Sequence, residues 1–175
     1  ETFYQHISAT VFRGISGILL SLVIALLSAF LFARNELLYE LFRPLLTIMR
    51  SVPVISFILL ALIFLNPESI PLMIAFLTMF PLLTENLTKG LLNLRPGLSL
   101  MADQFKVNKR NKLMQVIYPQ LNPFLFSGLA SAVGFGWRAI IMGEVLSQCS
   151  LGIGGEMKRA QNFIAVPELI AWTII

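Results

Sequence analysis

The sequence predicts an all-α membrane protein, a polytopic helical bundle, and three observations carry that expectation. Of 175 residues, 57% are hydrophobic and only 13% charged, and the mean hydropathy is +0.80. That leaves too little polar surface to cover a water-soluble globule of this size. Several uncharged runs approach the ~20 residues that an α-helix needs to cross a hydrocarbon core. Positive charge is concentrated in one place: residues 89–112 carry Lys89, Arg95, Lys106, Lys109, Arg110 and Lys112 against a single acid, Asp103. A basic loop between apolar runs marks the cytoplasmic side, because Lys and Arg are retained there during insertion.

Each element follows from local pattern. The first span, about residues 12–33, rests on the uncharged run 14–33, which closes at Arg34. The second, about 45–65, has an amphipathic lead-in from Leu37 and is expected to be one helix kinked at Pro53. Asn66-Pro67-Glu68 reads as a tight turn. A third span, about 69–88, follows it and should bend near Pro81. So short a turn makes the flanking spans antiparallel, and its lack of Lys or Arg places it outside, opposite the basic loop at about 89–121. Pro119 and Pro123 punctuate the approach to a fourth span, about 122–144. Residues 147–167 form a polar, glycine-containing external segment, where Lys158 and Arg159 run against the charge rule. A further span begins at about 167–175. Glu1 is not an initiator methionine, residues 2–8 lack signal-peptide character, and the last apolar run covers only about half a span, so flanking helices are expected beyond both ends.

Several function classes are excluded. The net charge of +4 comes largely from the central loop, so it reports topology and contact with anionic membrane lipid, not nucleic acid. Cys149, the only cysteine, rules out an intrachain disulfide and a cysteine metal cluster. His6, the only histidine, lies outside the apolar runs and reads as part of a polar terminus. No nucleophile stands with a base, and no carboxylate–histidine cluster suits a metal, so neither catalytic nor metal-binding residues are assigned. A phosphate-binding Gly-x-x-x-x-Gly-Lys-Ser/Thr loop is missing too. Energised work would therefore need another chain to bind the nucleotide.

Small residues recur every four positions at Gly17, Ser21, Ala25, Ala29 and Ala33, and again at Gly128, Ala132 and Gly136. Such stripes let helix backbones approach closely in lipid, where hydrophobic force between helices is weak. Arg138 and Glu144 sit at or near hydrocarbon depth, where a charge faces a polar interior or reaches an interface. Their spacing of six leaves them on overlapping helix faces, either as a helix-end anchor with an interfacial acid or as the lining of a solute pathway. In the basic loop, Met101, Ala102 and Phe105 fall at helical spacing, with Lys106, Lys109, Arg110 and Lys112 on the polar side. That pattern suits a short helix offering an apolar edge to a partner.

Met101-Ala102-Asp103-Gln104-Phe105-Lys106-Val107, followed by Val116-Ile117-Tyr118-Pro119, resembles the cytoplasmic Glu-Ala-Ala signature of permease subunits of bacterial ATP-binding cassette importers. Aligned through Pro119, Leu100 stands where that family has its glutamate and Lys106 where it has its glycine. Arg50-Ser51-Val52-Pro53-Val54, Gly134-Phe135-Gly136-Trp137-Arg138 with Glu144-Val145-Leu146, and Pro167-Glu168-Leu169-Ile170-Ala171-Trp172 extend the resemblance over nearly the whole chain, toward the nitrate, sulfonate and taurine branch.

The resemblance implies the five-helix core of a type I importer permease, cut within its last helix, in a bacterial inner membrane. It implies three partners: a cytoplasmic ATPase dimer holding ATP and Mg, an extracytoplasmic solute-binding protein, and a second permease copy, commonly identical. Leu98, Leu100, Met101, Ala102, Asp103, Phe105, Lys106, Val107 and Pro119 would then belong to the element that docks on the ATPase. Arg138 and Glu144 become candidates for the pathway of a small anion such as nitrate, sulfonate or taurine. Thiamine-precursor pyrimidines are the alternative cargo within the branch. A gated channel would need a repeated polar ring in the spans, and a secondary transporter would need inverted repeats and broken midplane helices.

Overall fold

A computed structural model describes residues 2–175 and shows helices joined by short connections. Helix α1 (Thr2–Arg34) runs 33 residues, starting well before the expected span. Helix α2 (Glu36–Ser51) is capped by Asn35, whose side-chain oxygen accepts from the Leu38 amide at 3.3 Å. Helix α3 (Val54–Phe64) ends ahead of a 3₁₀ turn, Pro67–Ser69. Helix α4 (Ile70–Leu92) leads into α5 (Pro96–Gln104) and the short α6 (Lys109–Lys112). One π-helical turn (Leu113–Ile117) then enters α7 (Tyr118–Ser147), followed by α8 (Ile153–Asn162) and α9 (Val166–Ile174). Among the described residues, three helical stretches are each long and apolar enough to cross a membrane: Thr2–Arg34, Pro67–Leu92 and Lys109–Ser147.

The second expected span is built differently from a kinked helix. α2 and α3 meet at 93°. Pro53 disfavours helical backbone in the residue before it. Val52 is accordingly extended (φ −72°, ψ 131°), and Pro53 itself has ψ 131°. Two extended residues in succession turn the chain through a right angle, where a proline inside a helix only bends it. Pro44 and Pro81, by contrast, stay inside α2 and α4. At 11 residues, α3 is about 16 Å long, roughly half a hydrocarbon core. α2 lies across the bundle with Leu46 buried against it, Leu37, Leu41, Leu45 and Ile48 exposed on one flank, and Arg43, Thr47 and Arg50 on the other.

α4 is the central helix, packed along both α1 and α7. One apolar cluster joins Ala25 and Ala29 of α1, Ala75, Met79, Leu83 and Leu87 of α4, and Ala132 and Ile140 of α7. A second seats Ile58 and Ala61 of α3 against Ile70, Ile74 and Ala139. The small-residue positions all lie in these interfaces: Gly17, Ser21, Ala25, Ala29, Gly128, Ala132 and Gly136 are buried, while Ala33 is half-buried. A Cβ on Gly17 would stand 2.8 Å from the Ala75 Cβ, and one on Gly136 would collide with the Met79 side chain. Buried hydroxyls in α4 satisfy themselves within the helix, Thr84 on the Phe80 carbonyl at 2.8 Å and Thr88 on the Thr84 carbonyl at 2.7 Å.

This packing generates a stability prediction. Gly17→Leu should force α1 and α4 apart and cost about 1–3 kcal/mol, the usual penalty for overfilling a packed interior. Leu26→Ile, on the exposed face of α1, should be nearly silent. Thermal unfolding in detergent reads both, and equal behaviour of the two variants would show that the stripe does not set the helix spacing.

Candidate functional site

At the end of the bundle opposite the basic loop, one carboxylate organises four parts of the chain. Glu144, in the last turn of α7, is fully buried. Its oxygens accept from the Thr10 hydroxyl at 2.9 and 3.0 Å, from Arg13 Nη1 at 2.7 Å and from the Gly154 amide at 3.0 Å. The Thr10 oxygen accepts in turn from the Ile153 amide at 2.9 Å. Two of the first amides of α8 are thus satisfied by this cluster, at the helix end whose dipole favours negative charge. Arg13 Nη1 also donates to the Leu151 carbonyl at 2.7 Å, and its Nη2 donates to Glu68 at 2.6 Å. Glu68 further accepts from the amide and hydroxyl of Ser150, each at 2.7 Å.

The glycines beside Glu144 follow from this geometry. Gly152 has φ +148°, and a Cβ there would stand 2.6 Å from the Glu144 carboxyl carbon; one on Gly154 would stand 2.6 Å from the Ile141 carbonyl oxygen. Any side chain would push α8 off the carboxylate. His6 is no loose terminus: it is buried in α1, with Nδ1 accepting from the Gly152 amide at 3.2 Å and Nε2 3.4 Å from Glu156. Arg13 and Glu68 were not singled out from sequence. The available signal was a lone Arg directly ahead of a twenty-residue uncharged run, a charge that must find a partner near the membrane boundary.

Arg138 has a different setting from Glu144. The two form no ion pair, since Glu144 is taken up by Arg13. Arg138 is exposed in the single chain, on an α7 face it shares with Ser127, Ser131 and Gly134, spaced four, three and four residues apart. Among the described residues it has no hydrogen-bond or ion-pair partner. Six residues of helix place it about 9 Å inside the Glu144 level.

At the basic end, α5 covers the expected coupling segment. Leu98, Leu100, Met101 and Phe105 are exposed, Phe105 the most at 77%, and Asp103 and Lys106 lie beside them, with Val107 half-buried and Pro119 exposed in the first turn of α7. Ala102 departs from the expected apolar edge, because the helix turns it inward to 6% exposure. Lys106 has φ +51°. The Val107 amide reaches the Ala102 carbonyl at 2.9 Å and the Lys106 amide the Asp103 carbonyl at 3.0 Å, the hydrogen bonding of a helix stop that favours glycine at the left-handed residue. Lys106 therefore adopts a backbone conformation that glycine takes most readily. Asp103 pairs with Lys112 at 2.7 Å, and the Arg95 amide donates to Gln120 at 2.9 Å, fastening this element to the approach of α7.

The Glu144 cluster generates a second stability prediction. Glu144→Ala should destabilise the protein by about 3 kcal/mol or more, because removing one member of a buried ion pair leaves its partner uncompensated. Hydrogen exchange in α8 should rise together with the loss in thermal stability. Protected α8 amides in the variant would contradict the role assigned to the carboxylate.

Known proteins place these features in a family. The chain is 27% identical over 167 residues to the bicarbonate transport system permease protein CmpB of Synechococcus elongatus, covering 93% of this chain and 59% of that protein. It is 25% identical over 171 residues to the nitrate import permease protein NrtB of Leptolyngbya laminosa, covering 97% and 61%. A probable ABC transporter permease protein of Brucella melitensis is 24% identical over 164 residues, covering 93% and 66%. The chain thus spans about three-fifths of the length of the first two relatives. Residues 17–174 match the model of the binding-protein-dependent transport system inner membrane component. With its apolar spans packed about α4 and a match over nearly its whole length, the chain belongs to that family of transport permeases.

Proposed function

We propose that this chain lines the translocation pathway of an ATP-driven importer for a small planar oxyanion of the nitrate or bicarbonate kind, in a bacterial inner membrane. The observation that carries the reading is Arg138, a guanidinium exposed within a membrane-spanning helix and paired with no acid among the described residues. A charge at that depth faces a polar interior unless it reaches an interface. The stripe of Ser127, Ser131 and Gly134 gives it a small, partly polar surround. Guanidinium offers paired, coplanar donors suited to a trigonal anion, and the relatives named for nitrate and bicarbonate carry anions of that shape.

A second permease copy would face this stripe and close the pathway, and an extracytoplasmic binding protein would deliver the solute. A separate cytoplasmic ATPase dimer would bind and hydrolyse ATP with Mg, receiving the exposed Leu98, Leu100 and Met101 of α5 and the following Phe105 in a groove. Nucleotide binding then acts through differential affinity for two packings of the spans, and no bond of the solute is made or broken.

Two outcomes test this. Phe105→Ala should weaken association with the ATPase by about 2 kcal/mol, the loss expected for an aromatic anchor, and lower solute-stimulated ATP hydrolysis while the permease stays folded; unchanged co-purification would remove α5 from the interface. Arg138→Gln should abolish oxyanion uptake into vesicles while the complex still assembles. Joint loss of assembly and uptake would mark Arg138 as structural, and full uptake would exclude an essential role.

A further inference from the structure

We propose that Arg50, at the elbow between α2 and α3, is a second anion contact at the basic end of the route, a station for the same oxyanion class as it leaves the membrane. The inference rests on the reading of Arg138 as a pathway residue, and four observations carry it further.

The first is position. Two cavities flank the elbow, and Arg50 lines both. One, of about 230 Å³, lies among the spans and is bounded by Val54, Thr78, Leu82 and Phe135. Phe135 is one helical turn from Arg138, so this cavity opens beside the Arg138 stripe. The other, of about 450 Å³, lies between α2 and the basic end of α4 and is lined by Arg43, Thr47, Ser51, Glu85 and Lys89. An anion passing from the Arg138 level toward the basic end would meet Arg50, which borders both spaces.

The second is charge. The larger cavity is lined by three cations, Arg43, Arg50 and Lys89, against one acid, Glu85; Arg43 also pairs with Glu40, and the remaining positive excess favours anions there. The third is exchangeability. Arg50 pairs with Glu85, and Glu85 is independently held by Lys89 one turn along α4 at 2.7 Å. Arg50 can therefore leave Glu85 for a passing anion without stranding the carboxylate, which removes the main penalty of opening a part-buried ion pair. The contrast with Arg13 is direct, since Arg13 holds two carboxylates and a carbonyl together.

The fourth is the place of Arg50 beside the elbow. Arg50 is the last residue but one of α2, two positions before the extended Val52-Pro53 pair, so a change in the elbow angle would shift its guanidinium relative to the two cavities. Closure and opening of the basic end would then coincide with exchange of Glu85 for solute.

The experiment uses the assembled importer in vesicles, with nitrate and bicarbonate as probes, and thiol labelling of the same complex. Arg50→Gln should lower uptake at least tenfold while assembly with the ATPase is retained, and Arg50→Lys should retain part of it with a raised KM. The charge swap Arg50→Glu with Glu85→Arg rebuilds the ion pair: stability restored without uptake supports the anion contact, whereas uptake restored with stability overturns it in favour of a structural pair. Thr47→Cys places a thiol in the larger cavity, with the buried Cys149 controlled by the parent chain. Anionic thiol reagents should react there faster than cationic ones, nitrate or bicarbonate should slow them, and both effects should vanish in Arg50→Gln. Charge-independent labelling overturns the proposal even where uptake is normal. If the wild-type importer carries neither anion, the reading of the pathway fails, and labelling still decides separately whether Arg50 selects anions.

Discussion

A carboxylate removed from water must be neutralised and hydrogen-bonded where it stands, and Glu144 meets that requirement by drawing in three other parts of the chain. Arg13 and Thr10 bring α1, the Gly154 amide brings the start of α8, and Arg13 carries the link on to Glu68 in the turn before α4. Remove the buried charge and α1, α7, α8 and the α3–α4 turn lose their common point. The same requirement fixes details that look unrelated in the chain. Gly152 and Gly154 are bare because the carboxylate and the α7 backbone occupy the space of their side chains, and Thr10 is polar although fully buried because both Glu144 and Ile153 need it.

From that tied end the helices run toward the basic end along α4, and their packing is governed by size. Glycine and alanine bring α1 and α7 against α4 at backbone distance, where dispersion contacts and satisfied hydroxyls replace the hydrophobic force that lipid does not supply. The result is a bundle with unequal ends. One is locked by a buried, multiply bonded ion cluster. The other contains a right-angled elbow, two cavities and ion pairs between part-exposed groups, which individually contribute little. Rearrangement of the spans therefore costs least at the basic end, the end that carries α5.

The loop at that end is more rigid than its composition suggests. A left-handed Lys106, the Asp103–Lys112 pair and the Arg95–Gln120 hydrogen bond fix α5 relative to the start of α7. An L-residue in that conformation carries a penalty of about 1 kcal/mol, which the two helix-stop hydrogen bonds offset. A short helix held in this way is fixed to the start of α7, and α7 carries both Arg138 and Glu144. The inward turn of Ala102 belongs to the same arrangement, since it seats α5 while Leu100, Met101 and Phe105 stay free at the surface.

The sequence by itself determined the all-helical class, the long apolar stretches within α1, α4 and α7, the α5 segment and the small-residue stripes. All of these depend on how short stretches of chain divide between water, interface and hydrocarbon, a property that composition and periodicity record directly. Only the tertiary structure decided which charges meet. Glu144 and Arg138 read as a pair because they lie six residues apart on one helix, yet the partner of Glu144 is Arg13, 131 positions earlier, and no local pattern encodes a contact of that range. The elbow illustrates the same limit at short range. Pro53 announced a break, but a kink became a right angle because Val52 and Pro53 are both extended and α2 found its place across the ends of α1 and α4. Local chemistry sets where a helix can stop; the direction of the next one is set by what it packs against.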